Sequence, residues 1–203
     1  MDYTKEDYVQ PDANLNSEFW RNNITMVLLE QYKNLMNGNV ADYGCNHGLW
    51  AARVSLLDAV NRVDGFDLNR KSLAHGYDKV FPQIPATSHK VALHEMNLVD
   101  LNWTTCVFDF VYSFHTLEHI FEKDIPQVMK NMSAPLKQGG HFLVNLPEKN
   151  SYLWEPLHIY HITLEELDTL FDTHGFDKVE SYEDQRGGQT GHSKNITGLY
   201  QKR

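Results

Sequence analysis

Apolar positions along this chain switch between two spacings. Phe19, Ile24, Val27, Leu28, Tyr32 and Leu35 recur at helical intervals, which predicts a helix from Asn16 or Ser17 to about Met36, ended by Asn37-Gly38. From there short apolar runs alternate with helical stretches. Val40–Tyr43, Arg62–Asp67, Val91–Met96 and Phe108–Phe114 read as strands. Leu49–Leu57 and Arg70–Lys79 read as helices between the first three. The run Phe108–Phe114 is apolar almost throughout, which suits a strand covered on both faces.

The second half continues the alternation and then breaks it. Ile125–Leu136 reads as a helix with Pro126 in its first turn, ended by Gly139-Gly140 before a strand His141–Leu146. Thr163 and Glu166 form a capping box for a helix to His174, and Gly175 supplies a left-handed stop. Phe176–Tyr182 and Asn195–Lys202 then read as two strands with no helix between them, an antiparallel hairpin at a sheet edge. The pattern predicts an α/β fold: a Rossmann-like, seven-stranded, mostly parallel sheet with helices on both faces and a C-terminal antiparallel hairpin. Residues 1–38 are expected to form an arm and helix, and 39–203 the main domain.

The 203 residues suit one sizeable core, and 41% hydrophobic with 22% charged residues indicates a globular chain. Formal net charge is −9 and no Lys/Arg block occurs, which argues against a nucleic-acid partner. Cys45 and Cys106 have neither zinc-site nor disulfide-framework spacing, so a reduced cytoplasmic setting is expected. No apolar run approaches the ~20 residues of a membrane helix, and residues 1–16 lack a signal-peptide core.

The chemistry is concentrated at strand ends. Val40 to Ala51 runs from an apolar strand through Asp42 and a turn containing Gly44 and Gly48 into a helix, the way an α/β protein presents a nucleotide-like cofactor. Asp67 follows Gly48 by 19 residues, close to the ~20-residue interval at which a carboxylate meets ribose hydroxyls. Its blander role is to cap the helix starting near Arg70. The turn's central residue is Asn46, the non-glycine residue most at ease with positive φ.

Taken in order, these segments resemble the class I S-adenosylmethionine-dependent methyltransferases from about Val40 to the C-terminus. Asp42-Tyr43-Gly44-Cys45-Asn46-His47-Gly48 matches that family's acidic, glycine-rich loop. Gly65-Phe66-Asp67-Leu68, Phe108 to Ser113, Leu117-Glu118-His119-Ile120, Leu136 to Gly140 and His174-Gly175-Phe176 match later motifs. The small-molecule, ubiquinone- and menaquinone-methyltransferase-like members are the nearest in pattern. The resemblance implies S-adenosylmethionine as cofactor, held by Asp42, Gly44, Cys45, Asn46, Gly48, Asp67, Leu68, Asn97, Leu98 and His115. Within that set, Asp67 would take the ribose, while Asn97 and Leu98 would border the adenine.

It also implies methyl transfer to oxygen or nitrogen of a small-molecule acceptor, with His115, His119 and His158 as candidate catalytic residues. His158 and His161 precede the Thr163 helix, where the family's substrate mouth lies; either could instead be an ordinary loop histidine. Ubiquinone-type enzymes carry Glu-x-x-Glu-His after the fourth strand, associated with a divalent metal. Here His115-Thr116-Leu117-Glu118-His119 replaces one carboxylate with imidazole, which disfavours magnesium, and no metal is expected. Tyr3, Tyr8, Phe19, Trp20, Arg21 and Trp154 are candidate lid, cofactor or pocket residues. Two other classes compete. One is an S-adenosylmethionine-binding domain without transferase activity. The other is a nicotinamide-dependent reductase, whose second mononucleotide half is missing.

Overall fold

The computed structural model describes residues 23–84, 89–102, 106–151, 156–184 and 194–203. Its strands are β1 (Gly38–Tyr43), β2 (Val60–Asp67), β3 (Val91–Glu95), β4 (Phe108–Phe114), β5 (Leu136–Pro147), β6 (Phe176–Asp184) and β7 (Asn195–Lys202). They form one seven-stranded sheet in the order β3-β2-β1-β4-β5-β7-β6, with β7 antiparallel to its neighbours. The predicted α/β architecture with a closing antiparallel pair is therefore present. By compactness the chain divides into Met1–Leu98 and Val99–Arg203.

In the first unit, helix α1 (Ile24–Tyr32) begins where the Asn23 side chain accepts from Thr25 N at 2.8 Å. The predicted helix start, and the candidates Tyr3, Tyr8, Phe19, Trp20 and Arg21, lie outside the described residues. Strands β1, β2 and β3 pair in parallel, with Asp42 opposite Gly65 and Asp67 opposite Glu95. Val40, Ala41, Tyr43, Val63 and Phe66 in these strands are fully buried, and helix α2 (Leu49–Val54) follows β1. Helix α3 (Arg70–His75) is capped by the Asn69 side chain, which accepts from Lys71 N and Ser72 N. The helix continues as a π turn, Gly76–Val80.

In the second unit, β4 is buried at every position but Asp109, as its continuous apolar run requires. Helix α4 (Ile125–Ser133) stops earlier than the sequence pattern predicts. Pro135 cannot donate a further helical hydrogen bond, and Leu136 already pairs with Phe108 as the first residue of β5. Gly139-Gly140 is thus a bulge inside β5 rather than a helix stop. Phe108 and Phe110 face Leu136 and His141, so the extra residues loop out, with Gly139 at φ 75°.

Helix α5 (Leu164–Thr173) starts at the predicted Thr163/Glu166 capping box. It packs Phe171 edge-on to Phe142 and stacks it on Tyr200 with ring centroids 3.9 Å apart. Gly175 turns the chain at φ 87° into β6.

Candidate active site

The loop leaving β1 is built from alternating left-handed residues. Gly44, Asn46 and Gly48 have φ of 79°, 50° and 72°. Asn46 therefore adopts the conformation for which glycine is the default. The backbone amides of Gly44 and Cys45 both donate to Phe66 O, at 2.8 and 3.1 Å, tying the loop to the end of β2. Asp67 completes the attachment. Its Oδ2 accepts from Asn46 N at 2.7 Å, and its Oδ1 accepts from Asn69 N at 2.8 Å. Both carboxylate oxygens thus accept from backbone amides. Asn46 Oδ1 is buried with no hydrogen-bond partner among the described residues.

Asp42 is buried in β1, Leu68 is half-buried after β2, and half-buried Asn97 precedes buried Leu98 after β3. Cys45 is buried, and desolvation, reinforced by the charges of Asp42 and Asp67, pushes its thiol pKa well up. A Cβ on Gly48 would come within 2.8 Å of Leu93 Cδ2 and 3.3 Å of Phe81 Cζ. Those side chains would have to shift, and the φ of 72° itself favours glycine there.

The second unit gathers a different chemistry. His115 ends β4 at φ 51°, and its backbone N–H donates to Asn145 O at 2.8 Å. Its half-exposed ring donates through Nδ1 to Glu118 Oε1 at 3.2 Å. Glu118 lies on the short turn Leu117–His119 and is buried. Burial works to raise its pKa. The hydrogen bond from His115 and the charges of His115 and His119 outweigh that, so the carboxyl sits below its ordinary value. Glu118 Oε2 is buried without a hydrogen-bond partner among the described residues. His119 Nδ1 donates to Leu157 O at 3.1 Å. Ile159 N and Tyr160 N both donate to Glu118 O, at 2.8 and 3.1 Å, which draws the segment carrying His158 onto the same turn. The rings of His119 and His158 lie edge-on with centroids 5.1 Å apart.

All three predicted catalytic histidines thus lie around Glu118, while the predicted cofactor residues other than His115 lie on the strand ends of the first unit. His161 is exposed, and Trp154 lies outside the described residues. Sequence reasoning missed Gly76. A Cβ there would sit 2.4 Å from His47 O, so this glycine lets the π turn press against the loop. Its only signal was a glycine inside an otherwise helical pattern.

A family model described as a methyltransferase domain matches residues 15–181. A tRNA U34 carboxymethyltransferase of Aliarcobacter butzleri is 28% identical over 134 residues, 66% of this chain and 41% of that protein, so the chain spans about two fifths of that relative's length. An S-adenosylmethionine-dependent methyltransferase from Mesorhizobium loti has a TM-score of 0.70 at 15% identity, covering 87% of this chain and 97% of that one. A Haemonchus contortus phosphoethanolamine N-methyltransferase 2, solved with phosphomonomethylethanolamine and S-adenosylhomocysteine, has a TM-score of 0.72 at 15% identity. It covers 88% of this chain and 52% of that one. At these identities the two structures establish the fold.

Proposed function

The chain belongs to the methyltransferase-domain family, whose methyl donor is S-adenosylmethionine, and we propose that it methylates oxygen or nitrogen of a small-molecule acceptor. The residues fit the donor. Asp67 ends β2 beside the glycine-rich loop and is tied to it through Asn46 N, and the buried Asn46 Oδ1 is an acceptor with no donor among the described residues. These groups suit the hydroxyls and ammonium of S-adenosylmethionine. When bound, that molecule supplies an already activated sulfonium methyl.

The observation that carries the acceptor reading is the His115–Glu118 pair. Glu118 receives Nδ1–H, which fixes the His115 tautomer and leaves Nε2 as the basic nitrogen. A half-exposed imidazole held in this way can take the proton that a hydroxyl or ammonium acceptor gives up. The net charge of −9 counts against an RNA acceptor of the kind that the tRNA-modifying relative's name specifies.

Calorimetry with S-adenosylmethionine, followed by assay of S-adenosylhomocysteine against pools of small metabolites and against tRNA, tests the reading. Binding and turnover with a small-molecule pool are expected. His115→Gln should lower kcat by about 10²–10⁴-fold with cofactor affinity retained. Cofactor binding with no turnover on any pool would instead identify a binding domain, and turnover on tRNA alone would replace the acceptor class.

A further inference from the structure

Building on the transfer reading above, we propose that Asn145, Thr197, Asn195 and Tyr182 form a recognition surface for a neutral, polyhydroxylated acceptor of the sugar or inositol type. Strand register brings the four together. Asn145 of β5 stands opposite Thr197 of β7, and Thr197 stands opposite Tyr182 of β6. Two residues further toward the end of β5, Pro147, Asn195 and Asp184 form the next row on the same face. The surface begins beside the candidate base, because Asn145 O accepts from His115 N at 2.8 Å.

The polar atoms of this face are buried yet incompletely paired. Asn195 is 0% exposed, and neither its Oδ1 nor its Nδ2 has a hydrogen-bond partner among the described residues. Asn145 is also buried, and its Nδ2 donates to Ile196 O at 3.2 Å and to Thr197 Oγ1 at 2.8 Å. A backbone carbonyl can only accept, so Ile196 O fixes which end of the Asn145 amide faces it. Asn145 Oδ1 is then left buried without a partner among the described residues. Tyr182 is half-buried, and its hydroxyl oxygen is in the same state. Unpaired polar atoms in an interior cost stability, and apolar residues of similar shape would avoid that cost. Four such atoms on one face mark a surface kept for a ligand.

The unpaired set selects the ligand. It holds two amide oxygens that accept, one amide nitrogen that donates, and a phenol that does both. An anion would meet both amide oxygens and the carboxyl of buried Asp184, which stands opposite Asn195. An ammonium group could satisfy the oxygens but would leave Asn195 Nδ2 unpaired. Neighbouring hydroxyls each donate and accept, so they answer every unpaired atom. A hydroxyl also offers an oxygen for methylation. A carboxamide does not match this need, because its nitrogen lone pair is delocalised into the carbonyl.

Binding is read apart from transfer, by saturation-transfer NMR of the full chain with S-adenosylhomocysteine present. Glucose, mannose and myo-inositol are the probes, with acetamide as the contrast. Saturation of at least one hydroxylated probe is expected. Asn195→Leu and Tyr182→Phe should each weaken it roughly fivefold or more. Both variants should melt at the wild-type temperature or roughly 2–5 °C above it, because each removes unpaired buried polar atoms. Calorimetry should show unchanged S-adenosylmethionine affinity. Where the two variants disagree, or Asn195→Leu does not fold, Tyr182→Phe decides, since it removes a single oxygen. Saturation of no hydroxylated probe, or of acetamide alone, overturns the proposal. So does full saturation in the variants. A lowered melting temperature also overturns it, because these groups would then hold the sheet together. Weakened S-adenosylmethionine binding would assign the surface to the methyl donor instead. A chain that binds the hydroxylated probes through these residues but turns over no acceptor keeps the surface and fails the transfer reading alone.

Discussion

In the loop after β1, burial first and the neighbouring His75 second lower the pKa of His47 below the ordinary histidine value. Its ring centroid lies 5.9 Å from that of His75. Above the unfolded value, about 6.5, neither state binds the proton and the folded chain keeps its full advantage. As pH falls through that value toward the lower folded one, the unfolded chain takes up a proton that the folded chain refuses, and stability is lost. Urea midpoints between pH 7.5 and 5.5 should therefore fall, and fall less for His47→Gln. Parallel declines in the two proteins would remove His47 as the cause. At this scale the sequence was readable wherever a residue type carries its own backbone preference. Asn46 was expected to tolerate a left-handed turn, and it does. The same conformation at His115 was not expected, because no glycine-rich turn pattern surrounds it in the sequence.

Element boundaries followed local chemistry where a cap was spelled out, as in the Thr163/Glu166 box that starts α5. They went astray where one residue type serves two purposes. Gly139-Gly140 has the form of a helix stop, but pairing of Leu136 with Phe108 makes it a bulge. Gly76 poses a sharper test. By helix propensity alone, Gly76→Ala should stabilise by about 0.5–1 kcal/mol. The added Cβ would instead lie 2.4 Å from His47 O, a backbone atom that cannot rotate away. The contact outweighs the propensity, and denaturant unfolding of Gly76→Ala should show a loss of about 1–3 kcal/mol. A gain in stability would mean that the π turn does not press on the loop.

Across the whole molecule, the two cysteines report on how completely the fold closes. Cys106 is exposed and Cys45 is buried, with its thiol held protonated by desolvation and by Asp42 and Asp67. Native protein at pH 8 should show one promptly alkylated thiol by mass spectrometry, the second appearing only as denaturant opens the chain. Equal rates in native protein would contradict that burial.

The sequence by itself determined the type and order of the elements, the antiparallel ending and the loop from Asp42 to Gly48. Hydrophobic period, capping and left-handed turn preferences all act within a few residues of one another. Only tertiary structure decided that Glu118 and His119 meet His158, and that Gly76 lies under His47. Those meetings depend on main-chain hydrogen bonds and packing between segments far apart in the chain, such as the bonds from Ile159 and Tyr160 to Glu118. No local pattern encodes where such a segment will come to rest.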